Sequence, residues 1–420
     1  MNILNYNKKK LVFLPIFWML MMVMFIFLSV SFLSLGEAVK TEEQEVIKIG
    51  CSIALTGALS REGNLGKDGY DLWMNTINET GGLEVNGKRY RIEISYYDDM
   101  SNAQTGAQLA EKFISDEKIK LILGPFSSGI TFAVSNITER YGAVLMSAMG
   151  NADMLYNRGY KNIFTITLTP SMLMRPALDL WSKQSPKPKT VAILSKDDVF
   201  SLTLAEGARD YAPSVGMDVI YFAKYPAGLQ DLSTYISQIK AKNPDVFIAT
   251  GHMAESVLVV KQSKDLQFRP MAWDVQVGPE LPEFRENLGE AAENIFYYSF
   301  YTESEKVNWK DPVFGDTANW RKKFIEKYGY APNQMNGQAC STAVVLGEAI
   351  KAAGTTDAAK VREAISNIDI ETFFGPVRFD ERGVNVGQGI YLFQIQPEKD
   401  ALILPEAVAD GKPIYPMPKW

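Results

Sequence analysis

Ser127 and Ser128 are the residues best placed to do chemistry. They follow an apolar run at 119–123 that stops at Gly124-Pro125, and they precede a segment at 130–141 with helical spacing. An apolar run without polar alternation reads as a parallel strand buried on both faces. Gly-Pro cannot continue a ladder, so the hydroxyls fall where a strand's carboxyl end feeds a helix N-terminus. Unpaired backbone N–H groups and a hydroxyl there suit a small anion, above all a carboxylate. The plainer reading is that Ser-Ser only caps the helix.

Five further residues sit in loops at the same kind of position: Glu62, Asn151, Phe200, His252 and Asp274. Each has a plain alternative. Phe200 reads equally as core, His252 as a satisfied buried imidazole and Asp274 as a turn former. As an enzyme site the set is poor, because no Gly-x-Ser-x-Gly elbow occurs and nothing near His252 in sequence supplies a nucleophile. Gly63-Asn-Leu-Gly-Lys-Asp68 lacks the glycine spacing and Ser/Thr of a phosphate-binding loop, and no Gly-x-Gly-x-x-Gly opens either half. With one histidine and two cysteines there is no Cys/His cluster for zinc or haem, so no cofactor or metal is expected. As a binding set it is coherent, with hydroxyls, an amide, an aromatic ring, an imidazole and carboxylates. Glu62, His252 and Asp274 favour a ligand with a donor group, whereas Phe126, Phe200 and Trp273 suit an aromatic acid.

The chain that must position these groups has 420 residues, comfortable for two domains. It is 46% hydrophobic and 22% charged, enough for a sizeable core. A formal charge of −6 without a basic run after Lys10 argues against nucleic acid as a partner. The start, Lys8-Lys9-Lys10 followed by an almost wholly apolar block at 11–32 and small residues through Ala38, has the order of a secretory signal. The block is also long enough to remain as a membrane anchor. Either way residues 40–420 are expected outside the membrane, in the periplasm or on the outer face of the cytoplasmic membrane. Cys51 falls in a strand and Cys340 in a helix, and two buried free thiols are expected.

Strands are expected at 46–55, 90–97, 119–123 and 143–146, with helices at 66–78, 103–114 and 130–141 between them. A polar loop is expected at 56–63. A second series follows 163–166, with strands at 190–194, 218–225, 245–249 and 271–274 and helices between. Helices at 320–328, 338–353 and 357–367 and strands near 374–383 and 389–396 complete the chain. Strand–helix alternation of this kind gives parallel sheets with helices on both faces, and ligands bind outside the carboxyl ends of such strands. No Pro/Gly/Ser-rich linker separates the two α/β halves, which suggests several crossings through a compact hinge.

The motifs Ile53-Ala-Leu-Thr-Gly-Ala-Leu59, Asn78-Glu-Thr-Gly-Gly-Leu83, Tyr97-Asp-Asp99, Ile122-Leu-Gly-Pro125 and Phe374-Gly-Pro-Val-Arg-Phe-Asp-Glu-Arg-Gly383 occur in order. Together they resemble the branched-chain amino acid type of periplasmic substrate-binding protein that feeds ABC importers, over about 46–400. The resemblance implies an α/β fold of two Rossmann-like lobes, each a parallel sheet flanked by helices, joined by a three-crossover hinge (periplasmic binding protein type 1). It implies lobe 1 at 45–166 plus 300–371, lobe 2 at 167–299 plus 372–405, a tail at 406–420, and a signal peptide or anchor at 1–38. By position, Ser128 resembles the family's hydroxyl donor to the ligand carboxylate, with Ser127 beside it. Met149 falls where a backbone carbonyl takes the ligand ammonium, Gly150 follows it, and Asn151 stands where a threonine holds the carboxylate. Glu62 falls on a first-loop position that often carries an aromatic. Phe200 replaces a tyrosine, His252 occupies another aromatic position, and Asp274 falls on a glutamate that pairs with the ammonium, with Gln276 an alternative there. These departures lie in the pocket itself and put leucine, isoleucine or valine in doubt as the ligand.

The expected activity is capture by closure. A carboxylate-bearing amino acid, amide or aromatic acid meets Ser128 in one lobe, is enclosed by Phe200, His252 and Asp274 from the other, and passes to the membrane permease of an ABC importer. The protein is expected to be a monomer and not an enzyme. Two other readings compete: a membrane-anchored sensor of the same fold, and an exported amide or ester hydrolase using His252.

Overall fold

The computed structural model describes residues 44–420, so the signal or anchor expected at 1–38 lies outside the described residues. The first body begins with β1 (Val46–Ile53), α1 (Ser60–Glu79), β2 (Leu83–Val85) and β3 (Lys88–Asp98). It continues through α2 (Ala103–Ser115), β4 (Leu121–Leu123), α3 (Ser128–Tyr141), β5 (Val144–Ser147), α4 (Asp153–Tyr156) and β6 (Ile163–Thr165). Its sheet has the order β2-β3-β1-β4-β5-β6, parallel except for the β2–β3 hairpin. The inner strands β4 and β5 are buried at every position, which is why they read as unbroken apolar runs.

The second body holds α5 (Arg175–Ser182), β7 (Thr190–Lys196), α6 (Val199–Tyr211), β8 (Asp218–Tyr225), α7 (Ser233–Lys242), β9 (Val246–Thr250) and α8 (Met253–Asp265). Then come β10 (Ala272–Gln276), α9 (Pro282–Leu288) and β11 (Phe296–Ser299). The chain returns to the first body with the short pair β12 (Lys310–Asp311) and β13 (Gly315–Asp316), then α10 (Thr317–Tyr328), α11 (Gln334–Ala353) and α12 (Ala358–Ser366). The hairpin of β14 (Asp369–Thr372) and β15 (Gly375–Arg378) lies against α11, where Ser341 and Thr372 share a hydroxyl hydrogen bond of 2.9 Å. Finally β16 (Tyr391–Ile395) and β17 (Asp400–Leu404) join the second sheet, whose order is β17-β16-β11-β10-β9-β7-β8. Its strands from β8 to β11 are parallel, and β16 and β17 close one edge antiparallel.

The chain therefore passes between the sheets three times, near 166–170, 300–302 and 379–390. These segments are tied to one another. Asn385 donates its backbone N–H to Thr165 O and its amide to Ile166 O, both at 2.9 Å, and Gln388 donates to Phe300 O at 3.3 Å. The architecture is the two-lobed α/β arrangement with parallel sheets flanked by helices.

Several boundaries differ from the sequence expectations for physical reasons. Helix α1 starts at Ser60, so the segment expected as a loop through Gly63 is already helical. Its first turn carries Arg61, which donates to Glu283 of the second body. It docks so closely on β1 that a methyl on Gly63 would lie 1.9 Å from Ala54 O. Strands β2, β11 and β17 were not anticipated; at three to five residues they are too short to show a period. Helix α11 starts at Gln334 rather than 338, opened by Asn333 as its N-cap. It is buried along most of its length against α1: a methyl on Gly69 would lie 2.3 Å from Asn336 O, and Asn336 donates to Leu65 O at 2.7 Å. Both cysteines are buried free thiols, Cys51 in β1 and Cys340 in α11.

Candidate functional site

Strand β4 ends in a turn that puts two residues in the left-handed region, Gly124 (φ 79°) and Ser127 (φ 76°). Glycine is required at 124, where a methyl would sit 2.5 Å from Ser52 O. Ser127 is the N-cap of α3, its Oγ accepting from Ile130 N at 3.4 Å. Ser128 is the first helical residue, and its buried Oγ accepts the Ala152 N–H at 3.1 Å. That bond uses a lone pair and leaves the hydroxyl proton free to donate.

After β5 the chain turns through Met149, Gly150 and Asn151. Gly150 donates its N–H to Ser147 Oγ at 2.9 Å, and its carbonyl accepts from Tyr156 at 2.7 Å. The Asn151 amide donates to Leu168 O at 2.9 Å and Thr167 Oγ1 at 3.2 Å, which leaves its buried Oδ1 without a partner. An orphan acceptor in a buried position is a place for a ligand donor.

The second body contributes from the carboxyl ends of β7 and β9. Asp198 caps α6 by accepting from Ser201 N at 2.9 Å, and Phe200 lies in that helix's first turn. His252 is the N-cap residue of α8, with Nε2 3.1 Å from Asp198 Oδ2. Burial favours an uncharged imidazole, but the hydrogen bond and charge of Asp198 outweigh it and raise the His252 pKa. Burial likewise opposes ionisation of Asp198, yet His252, the Ser201 N–H and Lys196 hold its carboxyl down at about 2. Asp198 thus keeps a proton on Nε2, while the buried Nδ1 has no protein partner.

These pieces face a common, narrow cavity of about 50 Å³, room for only a few water-sized groups as the two bodies stand. Ser127, Ser128, Met149, Asn151, Phe200 and His252 all line it. Three candidates do not. Glu62 is buried in the first turn of α1, off the cavity wall, though its charge acts on His252. Gly150 shapes the turn; a methyl there would lie 2.0 Å from Thr131 Oγ1. Asp274 lies inside β10, which runs on to Gln276, and its Oδ1 accepts the Gln276 amide at 3.0 Å. Burial pushes its pKa up to about 8, so at neutral pH it is mainly an uncharged acid behind the wall. Gln276 does not line the cavity either, and Trp273 stacks on Phe247 in the second body's core, ring centroids 5.5 Å apart.

The sequence reading missed Val277, Tyr298 and Phe300 from the second body and hinge, and Gln334, Met335 and Gln338 from α11. The polar Gln334 and Gln338 at the start of an otherwise apolar helix were the available signal. Phe126 and Phe200 flank the imidazole of His252, at 6.3 and 6.0 Å between centroids. Further contacts cross the cleft: Gln334 donates to Glu280 Oε1 at 3.0 Å, and Arg61 Nε donates to Glu283 Oε1 at 2.8 Å.

A cavity at the carboxyl ends of two parallel sheets is the geometry of a capture site. The family described as periplasmic binding protein matches residues 46–401. The chain belongs to that family. Periplasmic binding proteins hold solutes without transforming them, which leaves the hydrolase reading without support. Among curated relatives, Leu/Ile/Val-binding protein homolog 7 of Brucella suis is 26% identical over 402 residues, covering 91% of this chain and 96% of that one. Among solved structures, a leucine-binding protein of Thermotoga maritima superposes with a TM-score of 0.74 at 22% identity, covering 86% of this chain and 99% of that one. An ABC transporter solute-binding protein of R. palustris, in complex with benzoate, gives a TM-score of 0.72 at 17% identity, covering 88% and 98%. These likenesses support the two-lobed fold of a periplasmic binding protein. Among the described residues no helix is long and apolar enough to cross a membrane.

Proposed function

We propose that this periplasmic binding protein captures a small carboxylate-bearing solute between its two bodies and delivers it to the permease of an ABC importer. The observation that carries this reading is the meeting of the Ser128 hydroxyl at the α3 N-terminus with His252 across one cavity. The ligand carboxylate binds Ser128 and nearby N–H groups first, with Ser127 and Asn151 alongside. Phe200 and His252 then complete the enclosure. Contacts made only when both bodies engage the ligand shift the population toward the closed form. Useful scavenging needs a dissociation constant near micromolar, about −8 kcal/mol. Thermal-shift screening of amino acids, amides and aromatic acids tests the reading, since a ligand that binds only the folded state raises Tm. A panel in which no carboxylate raises Tm while another class does would reject it.

We further propose that the protein works on the outer side of the cytoplasmic membrane. The lysine-led apolar block at 11–32 supports this. N-terminal sequencing of protein from the producing cell distinguishes a cleaved start near 39 from a retained anchor.

A further inference from the structure

The charge of the cavity wall restricts the ligand more than the capture reading alone. The side chains on the wall are hydroxyls, amides, aromatic rings, methionines, a valine and one imidazole. No carboxylate is among them. The acids around it, Asp198, Glu62, Asp274 and Glu280, lie off the wall. Asp274 is inside β10, and Glu280 accepts from Gln334 and from the Gly278 N–H at 2.9 Å. Burial raises the pKa of both, toward the neutral form.

An ammonium group brought into this space would find only neutral acceptors, among them the Asn151 Oδ1 and the wall amides, and no carboxylate on the wall. A desolvated cation without a counter-charge is costly. A carboxylate meets the opposite situation. It finds the Ser128 proton, the N-terminal N–H groups of α3 and the imidazole of His252. The charged groups acting on that imidazole are Asp198 at 3.1 Å, Glu62 from α1, and Lys196, which pairs with Glu255 at 2.7 Å. The rest of the wall adds the Gln334 and Gln338 amides and the Tyr298 hydroxyl among aromatic and apolar side chains, all of them uncharged.

We propose that the site selects carboxylic acids, aryl or branched alkyl, that lack an α-ammonium group. This deepens the capture reading and rests on it. The test is titration calorimetry of the purified full chain at pH 7 with two matched pairs: phenylalanine against 3-phenylpropanoate, and leucine against 4-methylpentanoate. Each pair shares a skeleton and differs in the ammonium group, so a misfit of size affects both members. On the skeleton that binds, the deaminated acid is expected to bind at least 10-fold more tightly. An amino acid that binds as tightly as its partner, or more tightly, overturns the selectivity and leaves the capture function standing. Failure of both pairs, together with every other carboxylate tried, overturns the capture reading and this inference with it. A second readout uses Gln338→Glu, which adds a carboxylate to the wall. It is expected to shift the acid-to-amino-acid affinity ratio at least 10-fold toward the amino acid, and an unchanged ratio counts against the wall's charge as the selector.

Discussion

Ser128 and His252 do different work at the same cavity. The Ser128 hydroxyl accepts one backbone N–H and has its proton to give. Ser128→Ala is expected to weaken ligand binding by about 1–3 kcal/mol, the cost of leaving a charged partner one bond short, and calorimetry with the identified ligand reads it directly. His252 and Asp198 form a buried pair whose contribution depends on pH. The raised His252 pKa makes its stabilisation complete below the unfolded value of about 6.5 and lost as pH rises through the folded one. The lowered Asp198 pKa makes its share present above about 4 and lost as pH falls toward 2. The Tm advantage of the native chain over His252→Gln is therefore expected to peak between about pH 4 and 6.5. A pH-independent gap would show that the pair is not charged. Asp274 runs the other way. Its folded pKa of about 8 means that ionisation costs stability progressively from about pH 4 to 8. Asp274→Asn is expected to raise Tm, by an increment that grows over that range and then levels off.

At the scale of elements, close approach decides where helices begin and which residues they can carry. Gly63→Ala is expected to lower Tm sharply, because a methyl 1.9 Å from the Ala54 carbonyl, just past β1, forces α1 away from that strand's end; thermal denaturation of the variant measures it. The same closeness explains what the sequence reveals and what it hides. Ser127, Ser128 and Phe200 are readable because each follows a strand end marked by a change from apolar to polar residues. Asp274 misleads for the same reason: its polarity resembles the end of a strand that in fact continues to Gln276. Glu62 misleads because Ser-Arg-Glu-Gly has loop composition, yet tertiary packing makes it the first turn of a helix. Gln334, Met335 and Gln338 were not legible as site residues. They arrive on α11 from far along the chain, and nothing local connects them to Ser128. The two sheets and most helices were legible, because long periodic segments keep their pattern whatever they pack against.

At the scale of the whole molecule, the cross-cleft contacts differ in weight. The Arg61–Glu283 pair is largely exposed and is expected to contribute about 0–1 kcal/mol to closure, weakened further by salt. Gln334 matters more, because it lines the cavity, donates to Glu280 across the cleft, and accepts from Phe300 N in the hinge at 3.2 Å. Gln334→Ala is expected to expand the ligand-bound protein toward the dimensions of the ligand-free one in small-angle scattering, whereas Arg61→Ala leaves them nearly unchanged. Equal effects of the two would show that the hinge-side bond has no special hold on closure.

The embrace of α1 by α11 also has a consequence for how the molecule comes into being. Strand β1 and helix α1 are made early, but the surface that covers them is encoded after most of the second body. A growing polypeptide cannot finish its first globule until the later helix emerges, so nascent chains stay pliable for most of their synthesis. Under the export proposed above, that delay would keep the chain loose enough to be threaded through a narrow channel.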